Sequence, residues 1–184
     1  MDTTQDTHGL EMVPHLGTFH ETPGHQIERI RLSDEQYALA TAALPVLCTD
    51  LVFVDEQDRF ILAQRRNAAA KGWWWFGGSW KAEFTREESL AAVLTREIGF
   101  LPRGVTLLTF FEHFWATRRE VPHETGRHDM IFLHYVKVNE EAIAKIHLED
   151  DEYDAVEGLL RYDGTQEVRP AVKAAYELYK RIGQ

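Results

Sequence analysis

Gly77 and Gly78 stand side by side between a tryptophan run and a helical stretch, in GWWWFGGSWKAEFTREESLAAVLTREIGF from Gly72 to Phe100. A Gly-Gly turn lets backbone come close to whatever lies in front of it. Carbonyl or N–H groups freed there can serve a metal ion or a phosphate. Ordinary turns use the pair too, so the neighbours carry the argument. Asp50 interrupts an otherwise apolar run, Val46 to Val54. Burying an unpaired carboxylate is costly, so Asp50 either caps a bend or faces a polar cavity, and the cavity is the favoured expectation. Arg65, Arg66, Lys71 and Lys81 form a local basic cluster that either meets an anionic substrate or is a solvated loop. Trp80, just after Gly-Gly, is harder to bury than the tryptophans before it and is a candidate site wall. Glu112 and His113 are polar groups of a pocket or its hydrated rim. In LEDDEYD, residues 148 to 154, carboxylates repel one another unless water or a cation relieves them. That run lacks the spacing and internal Gly of an EF-hand. It is a plain acidic turn, or it supplies Glu149, Asp150 or Glu152 to a site.

These groups need elements to hold them. Ser33, with Glu35 and Gln36 after it, opens a short helix over Leu32 to Ala43. Val46 to Val54 reads as a strand buried on both faces. Asp55-Glu56-Gln57-Asp58 is a hairpin turn, and Arg59 to Gln64 returns as the partner strand. Strand alternation would put Trp73 and Trp75 on one face and Trp74 on the other. Thr85 and Glu88 make a capping box for a helix with Leu90, Val93 and Leu94 on its apolar stripe, ended by Gly99. Val105 to Trp115 and His128 to Val138 are strands. The polar loop 116–127 between them is either a lid, whose Arg118 and Arg119 meet phosphate, or a run of exposed charges. A short helix over Glu140 to Ile146 and a strand over Ala155 to Tyr162 follow. A last helix from about Pro170 shows Val172, Ala175, Tyr176, Tyr179 and Ile182 on one stripe. Paired strands interleaved with two substantial helices give an α+β fold, an α/β/α sandwich with a mixed central sheet.

Gly-Gly, a loop, a capped helix and a closing Glu-x-Gly-apolar, after a Trp-rich strand, resemble the box of the Nudix hydrolases. That family acts on nucleoside diphosphates linked to another group. With the box set on Gly78, Glu97, Gly99 and Phe100 fall in register. Phe84 stands where the first Glu belongs, Ala92 and Val93 where Arg-Glu belongs, and Arg96 where the first of a Glu-Glu pair belongs. The likeness extends over residues 32 to 160 to the GDP-mannose mannosyl hydrolase branch, which works with a depleted box. It is carried by Pro45-Val46, Asp50, Leu51 to Val54, Phe60-Ile61-Leu62, Arg65, Glu112-His113-Phe114 and His128. The resemblance implies a Nudix fold, with Asp50 and Arg65 at the substrate and His128 near a His that opens a strand in that branch; Trp80, the candidate wall, joins them as a substrate-binding residue. It also implies one Mg²⁺ or Mn²⁺ held by Glu97 and a Gly77 or Gly78 carbonyl, with Glu149, Asp150 or His113 as general base. Ser79 replaces the branch's phosphate-facing Arg, and Glu149-Asp150 is the nearest match to its Gln-His pair. A homodimer is a further implication.

With 184 residues, 44% of them apolar, the chain can bury a real core: a domain over 31–184 after a flexible arm over 1–30. The arm's His8, His15, His20 and His25 have no zinc-finger spacing. A formal charge of −10 argues against nucleic acid, which needs a basic footprint. Cys48, the only cysteine, permits no intrachain disulfide and reads as buried packing. No apolar run approaches membrane-spanning length, so no membrane partner and a cytoplasmic location are expected. Three functions follow. The first is hydrolysis of a nucleoside-diphosphate sugar (a GDP-mannose-like nucleotide sugar) at the sugar's C1. The second is binding of such a nucleotide without turnover, and the third is attack at phosphorus with rearranged metal ligands.

Overall fold

The computed structural model describes residues 30–66, 69–100, 102–148 and 152–182. The arm over 1–30 therefore lies outside the described residues, apart from Ile30. Helix α1 is Asp34–Ala43. It is followed by β1 (Val46–Val54), β2 (Phe60–Arg65), β3 (Gly72–Trp74), β4 (Phe76–Ser79) and α2 (Arg86–Ile98). Next come β5 (Thr106–Trp115), β6 (Arg127–Lys137), α3 (Glu140–Ile143), β7 (Leu159–Tyr162) and α4 (Pro170–Ile182). No helix of the described residues is long and apolar enough to cross a membrane.

Local chemistry sets both early helices. The Ser33 side chain accepts from the Gln36 N–H while the Ser33 N–H donates to Gln36 Oε1 at 2.9 Å. Thr85 and Glu88 do the same for α2: the Thr85 N–H donates to Glu88 Oε2 at 2.7 Å and the Glu88 N–H to Thr85 Oγ1 at 3.2 Å. Each box satisfies two backbone donors that a helix start leaves open. Gly99 ends α2 at φ 81°, a left-handed cap that a β-carbon disfavours.

The strands form one mixed sheet in the order β3-β2-β1-β6-β5. β1 runs parallel to β6 along its whole length, so its other edge is shared: β4 pairs with Cys48 to Leu51 and β2 with Phe53 and Val54. Covered on both edges and both faces, seven consecutive β1 residues are buried. One face packs Val52, Phe60, Leu62, Trp74 and Trp75 against Val172, Tyr176 and Tyr179 of α4. The other packs Leu51, Phe53, Ile61 and Phe76 against Leu90 and Leu94 of α2 and Ile143 of α3. This is the α/β/α sandwich expected from the sequence.

Several details depart from expectation. Trp75 lies in no strand; it is the crossing where the chain leaves β2's edge as β3 and joins β1 as β4. The crossing breaks the pleat, so alternation fails. Trp74 and Trp75 enter the same core with ring centroids 4.2 Å apart, and Trp73 packs against that cluster. The last strand is shorter than expected because Asp154 Oδ1 accepts from the Val156 and Glu157 N–H groups, holding 154–157 in a turn. The short helix closes at Ile143, three residues early, and Ile182 is exposed rather than packed. Arg118 is neither an exposed charge nor free to meet phosphate. It is 2% exposed and donates to the carbonyls of Ala38, Val121 and Pro122 and to Thr41 Oγ1, tying the 116–126 loop to α1.

Candidate functional site

A cleft of about 800 Å³ opens where β1 begins. It is bounded by the start of α1, strand β4 and the loop after it, the end of α2 and the loop after β5. Asp50, Arg65, Gly77, Gly78 and Trp80, all singled out from sequence, line it together. So do Arg96, Arg119, Arg127 and Asp129.

Asp50 faces Gly77 across the β1·β4 ladder. Its carboxylate is nearly buried, and Oδ2 accepts from Trp75 Nε1 at 2.7 Å. A β-carbon on Gly77 would fall 2.0 Å from Asp50 Oδ1, so glycine is what lets the carboxylate lie over this backbone. Behind it the Asp50 carbonyl accepts from Nδ1 of buried His134 at 3.0 Å, which fixes the tautomer. Burial, above all, lowers the His134 pKa, with the nearby Arg86 charge acting the same way, and keeps the ring neutral.

Along the floor Arg127 grips Asp129 with Nε and Nη2, at 2.5 and 2.8 Å, and Trp115 Nε1 donates to the same carboxylate at 2.8 Å. Burial works against the Arg127 charge, but the Asp129 bonds outweigh it and raise the pKa. Cys48, buried as expected, lies beside this pair; burial first, then the charges of Asp50 and Asp129, push its thiol well up. Sequence reasoning missed Arg127 and Asp129. Two opposite charges two residues apart at the start of a strand share one face, and that signal was available.

Arg65 donates to Glu152 Oε2 at 2.7 Å and lies over the Tyr153 ring. Arg119, largely exposed, approaches the other oxygen of Glu152 at 3.8 Å. The acidic run thus reaches the cleft through Glu152, paired with arginine. Trp80 Nε1 donates to the Phe84 carbonyl at 2.8 Å, and its ring meets Phe132 edge-on. Lys81 lies over the Phe84 ring, 5.6 Å from its centre. The expected Gly-Gly turn is not one: Gly77 and Gly78 lie in β4, paired with Asp50 and Thr49 of β1, because the chain crosses to β1 earlier, at Trp75. A β-carbon on Gly78 would meet Arg96 Nη2 at 3.3 Å and the Val93 methyls at 3.6 and 3.7 Å, so the Arg96 guanidinium is seated against β4 at Gly78.

His113 and His128 are not among the lining residues. His113 packs beside Trp74 and Trp115, ring centroids 5.6 and 4.0 Å away; burial foremost, then the Arg169 charge, lowers its pKa. His128 stacks on Phe114 at 4.2 Å, and its Nε2 is 3.4 Å from Glu112 Oε1. Arg127 and Asp129 face the cleft, so alternation turns His128 to the opposite side. Glu97 is placed in α2, one residue beyond Arg96, but its side chain lies outside what is described, as do Glu149 and Asp150.

A divalent ion needs several oxygen ligands; Mg²⁺ wants an octahedron of them. Among the described residues no group of three or more His, Cys, Asp or Glu side chains is gathered to hold one. Of the carboxylates lining the cleft, Asp50, Asp129 and Glu152 already accept from indole or guanidinium groups; Asp34, Glu83 and Glu120 line it too, but join no such group of three, and a guanidinium stands at Gly78. The described residues do not fit a divalent ion beside β4.

This mixed sheet between helical layers is the Nudix fold. Among solved structures it resembles a MutT Nudix hydrolase from Burkholderia pseudomallei, with a TM-score of 0.57 and 21% identity over 73% of this chain and 98% of that one. A MutT protein from Methanosarcina mazei Go1 aligns with a TM-score of 0.56 and 16% identity, over 76% and 96% of the two chains. The Nudix domain of NrtR from Shewanella oneidensis, solved with ADP ribose, aligns with a TM-score of 0.50 and 13% identity, over 83% and 100%. No family model matches the sequence, and no curated protein matches it either.

Proposed function

We propose that the cleft binds a nucleoside-diphosphate sugar and that the chain hydrolyses it by substitution at the sugar's C1. The observation that carries this reading is the basic group beside the paired glycines of β4 in a Nudix fold: Arg96 against Gly78, with Lys81 on the loop that follows β4. Fixed positive charge there suits a diphosphate. Trp80 gives the base or sugar an aromatic wall, and Asp50, held by Trp75, seats a sugar hydroxyl. The NrtR domain bound to ADP ribose, itself a nucleoside diphosphate carrying a sugar, supports the ligand class.

Attack at C1 makes the whole nucleoside diphosphate a leaving group, already a stable anion, so guanidinium and ammonium groups can carry its charge. Attack at phosphorus usually asks for more metal, and the described residues gather no group to hold it. A carboxylate from Glu149 or Asp150 is proposed to take the proton from water. His113, outside the cleft lining, would reach it only through a shift of the Trp115 wall. A second reading, binding without turnover, is favoured by Phe84, Val93 and Arg96 standing where the box has carboxylates.

Chromatography of products settles the choice. GDP-, UDP- and ADP-sugars are incubated with the protein in EDTA, Mg²⁺ or Mn²⁺. Nucleoside diphosphate plus free sugar is expected. Nucleoside monophosphate plus sugar phosphate would move the reaction to phosphorus. Absence of turnover with a ligand-induced rise in melting temperature would establish the binding module.

A further inference from the structure

The box comparison makes residue 96 a place for a carboxylate that helps hold a cation, and this chain has an arginine there. The side chain is not turned away from the site. Arg96 lines the cleft, and its Nη2 lies 3.3 Å from where a Gly78 β-carbon would be, inside the contact a real side chain would keep. Val93, at another of the three lost carboxylate positions, is buried, and its methyls pack on the same glycine. Gly78 thus faces one cation and one hydrocarbon where two anions would gather a metal. A divalent ion brought beside Gly78 meets a like charge and loses ligands, whereas a diphosphate meets a planar, permanently charged donor fork that suits phosphate oxygens.

We propose that Arg96 takes the place of the metal ion beside Gly77 and Gly78 of β4, so that the diphosphate is held by a guanidinium and its binding is independent of divalent cations. Lys81 adds a second positive charge on the loop after β4, its ammonium held over the Phe84 ring. Phe84 is therefore part of the same exchange: an apolar ring that supports a cation stands where a carboxylate would attract one. This inference rests on the diphosphate reading of the cleft and specifies how that reading is met.

The test is isothermal titration of the full chain with GDP, UDP, ADP and inorganic pyrophosphate, each in excess EDTA and again in Mg²⁺. Affinity should change by less than about threefold between the two buffers. Arg96→Gln should weaken binding about tenfold or more in both, as loss of a charge-assisted bond to phosphate implies. Arg96→Lys should recover part of the loss, which separates charge from fold. Because Arg96 is an exposed helical residue, the variants should keep the parent melting temperature within a few degrees. Binding of nucleoside diphosphate that needs Mg²⁺ would overturn the arginine anchor and leave the nucleotide reading standing. Pyrophosphate binding in EDTA that depends on Arg96, without affinity for any nucleoside diphosphate, would keep the anchor and overturn the nucleotide. Undiminished binding by Arg96→Gln refutes the anchor outright, and absence of binding by all four probes in both buffers refutes both.

Discussion

Gly77→Ala should destabilise the fold by about 3 kcal/mol or more, and the size follows from what the added methyl meets. The new β-carbon lies 2.0 Å from Asp50 Oδ1, 2.4 Å from Cγ and 2.7 Å from Cα. Rotating the Asp50 side chain relieves the first two contacts but breaks its bond from Trp75 Nε1 at 2.7 Å. A bond to a charged acceptor is worth about 1.5–3 kcal/mol, and the buried indole N–H is then left without its partner. The third contact is with backbone, so β4 must also shift off β1, an overpacking cost of about 1–3 kcal/mol. The sum is about 3–6 kcal/mol, and for a chain of this length about 3 kcal/mol lowers the melting temperature by about 6–12 °C. Urea unfolding followed by tryptophan fluorescence reads it, since Trp74 and Trp75 adjoin the perturbation. A loss below about 1 kcal/mol would refute the close approach of Asp50 to Gly77. Asp50→Ala combined with Gly77→Ala should cost clearly less than the two single losses added together, because the carboxylate half of the clash is gone; strict additivity would show that the two residues do not touch.

Arg118→Met should lose about 2–4 kcal/mol, because three backbone carbonyls and Thr41 lose their donor, and the 116–126 loop should become cleavable by protease at a higher rate. Unfolding within 0.5 kcal/mol of the parent on the ordinary scale of surface substitutions would show that the loop is not tied down by this side chain. His134 has a pKa lowered mainly by burial, so its neutral form belongs to the folded state. Its contribution is present in full above the unfolded histidine value of about 6.5 and is lost as pH falls from there through the lower folded value. Stability measured from pH 7.5 downward should decline more steeply in the parent than in His134→Gln; parallel curves would disprove the link.

Much of the architecture was legible because it is local. The capping boxes at Ser33 and Thr85 join groups three residues apart, and Gly99 ends its helix through its own backbone. The continuous apolar run of β1 announced a strand buried on both faces, and α4's stripe announced the face that packs on the sheet. Local rules also failed in particular places. Trp74 and Trp75 would alternate in a strand, but the change of partner from β2 to β1 falls between them. Arg118 reads as a surface charge until α1 is seen to offer it Ala38 and Thr41 from some eighty residues away.

The candidate site divides the same way. Asp50, Arg65, Gly77, Gly78 and Trp80 could be picked from residue type and spacing, because a carboxylate in an apolar strand and a Gly-Gly pair are unusual wherever they fold, although the pair proved to be strand rather than turn. The sequence alone also determined that Arg96 stands in register with a box carboxylate. Only the tertiary structure decided where these groups point and what holds them. It left His113 outside the cleft lining behind Trp115, turned His128 to the opposite face, paired Arg65 with Glu152 across 87 positions of chain, and brought the Arg96 guanidinium onto Gly78. The physical reason is that caps, turns and buried runs are set by interactions a few residues long. A charge, by contrast, takes its role from partners brought beside it by the closure of the sheet and the docking of α2 on β4.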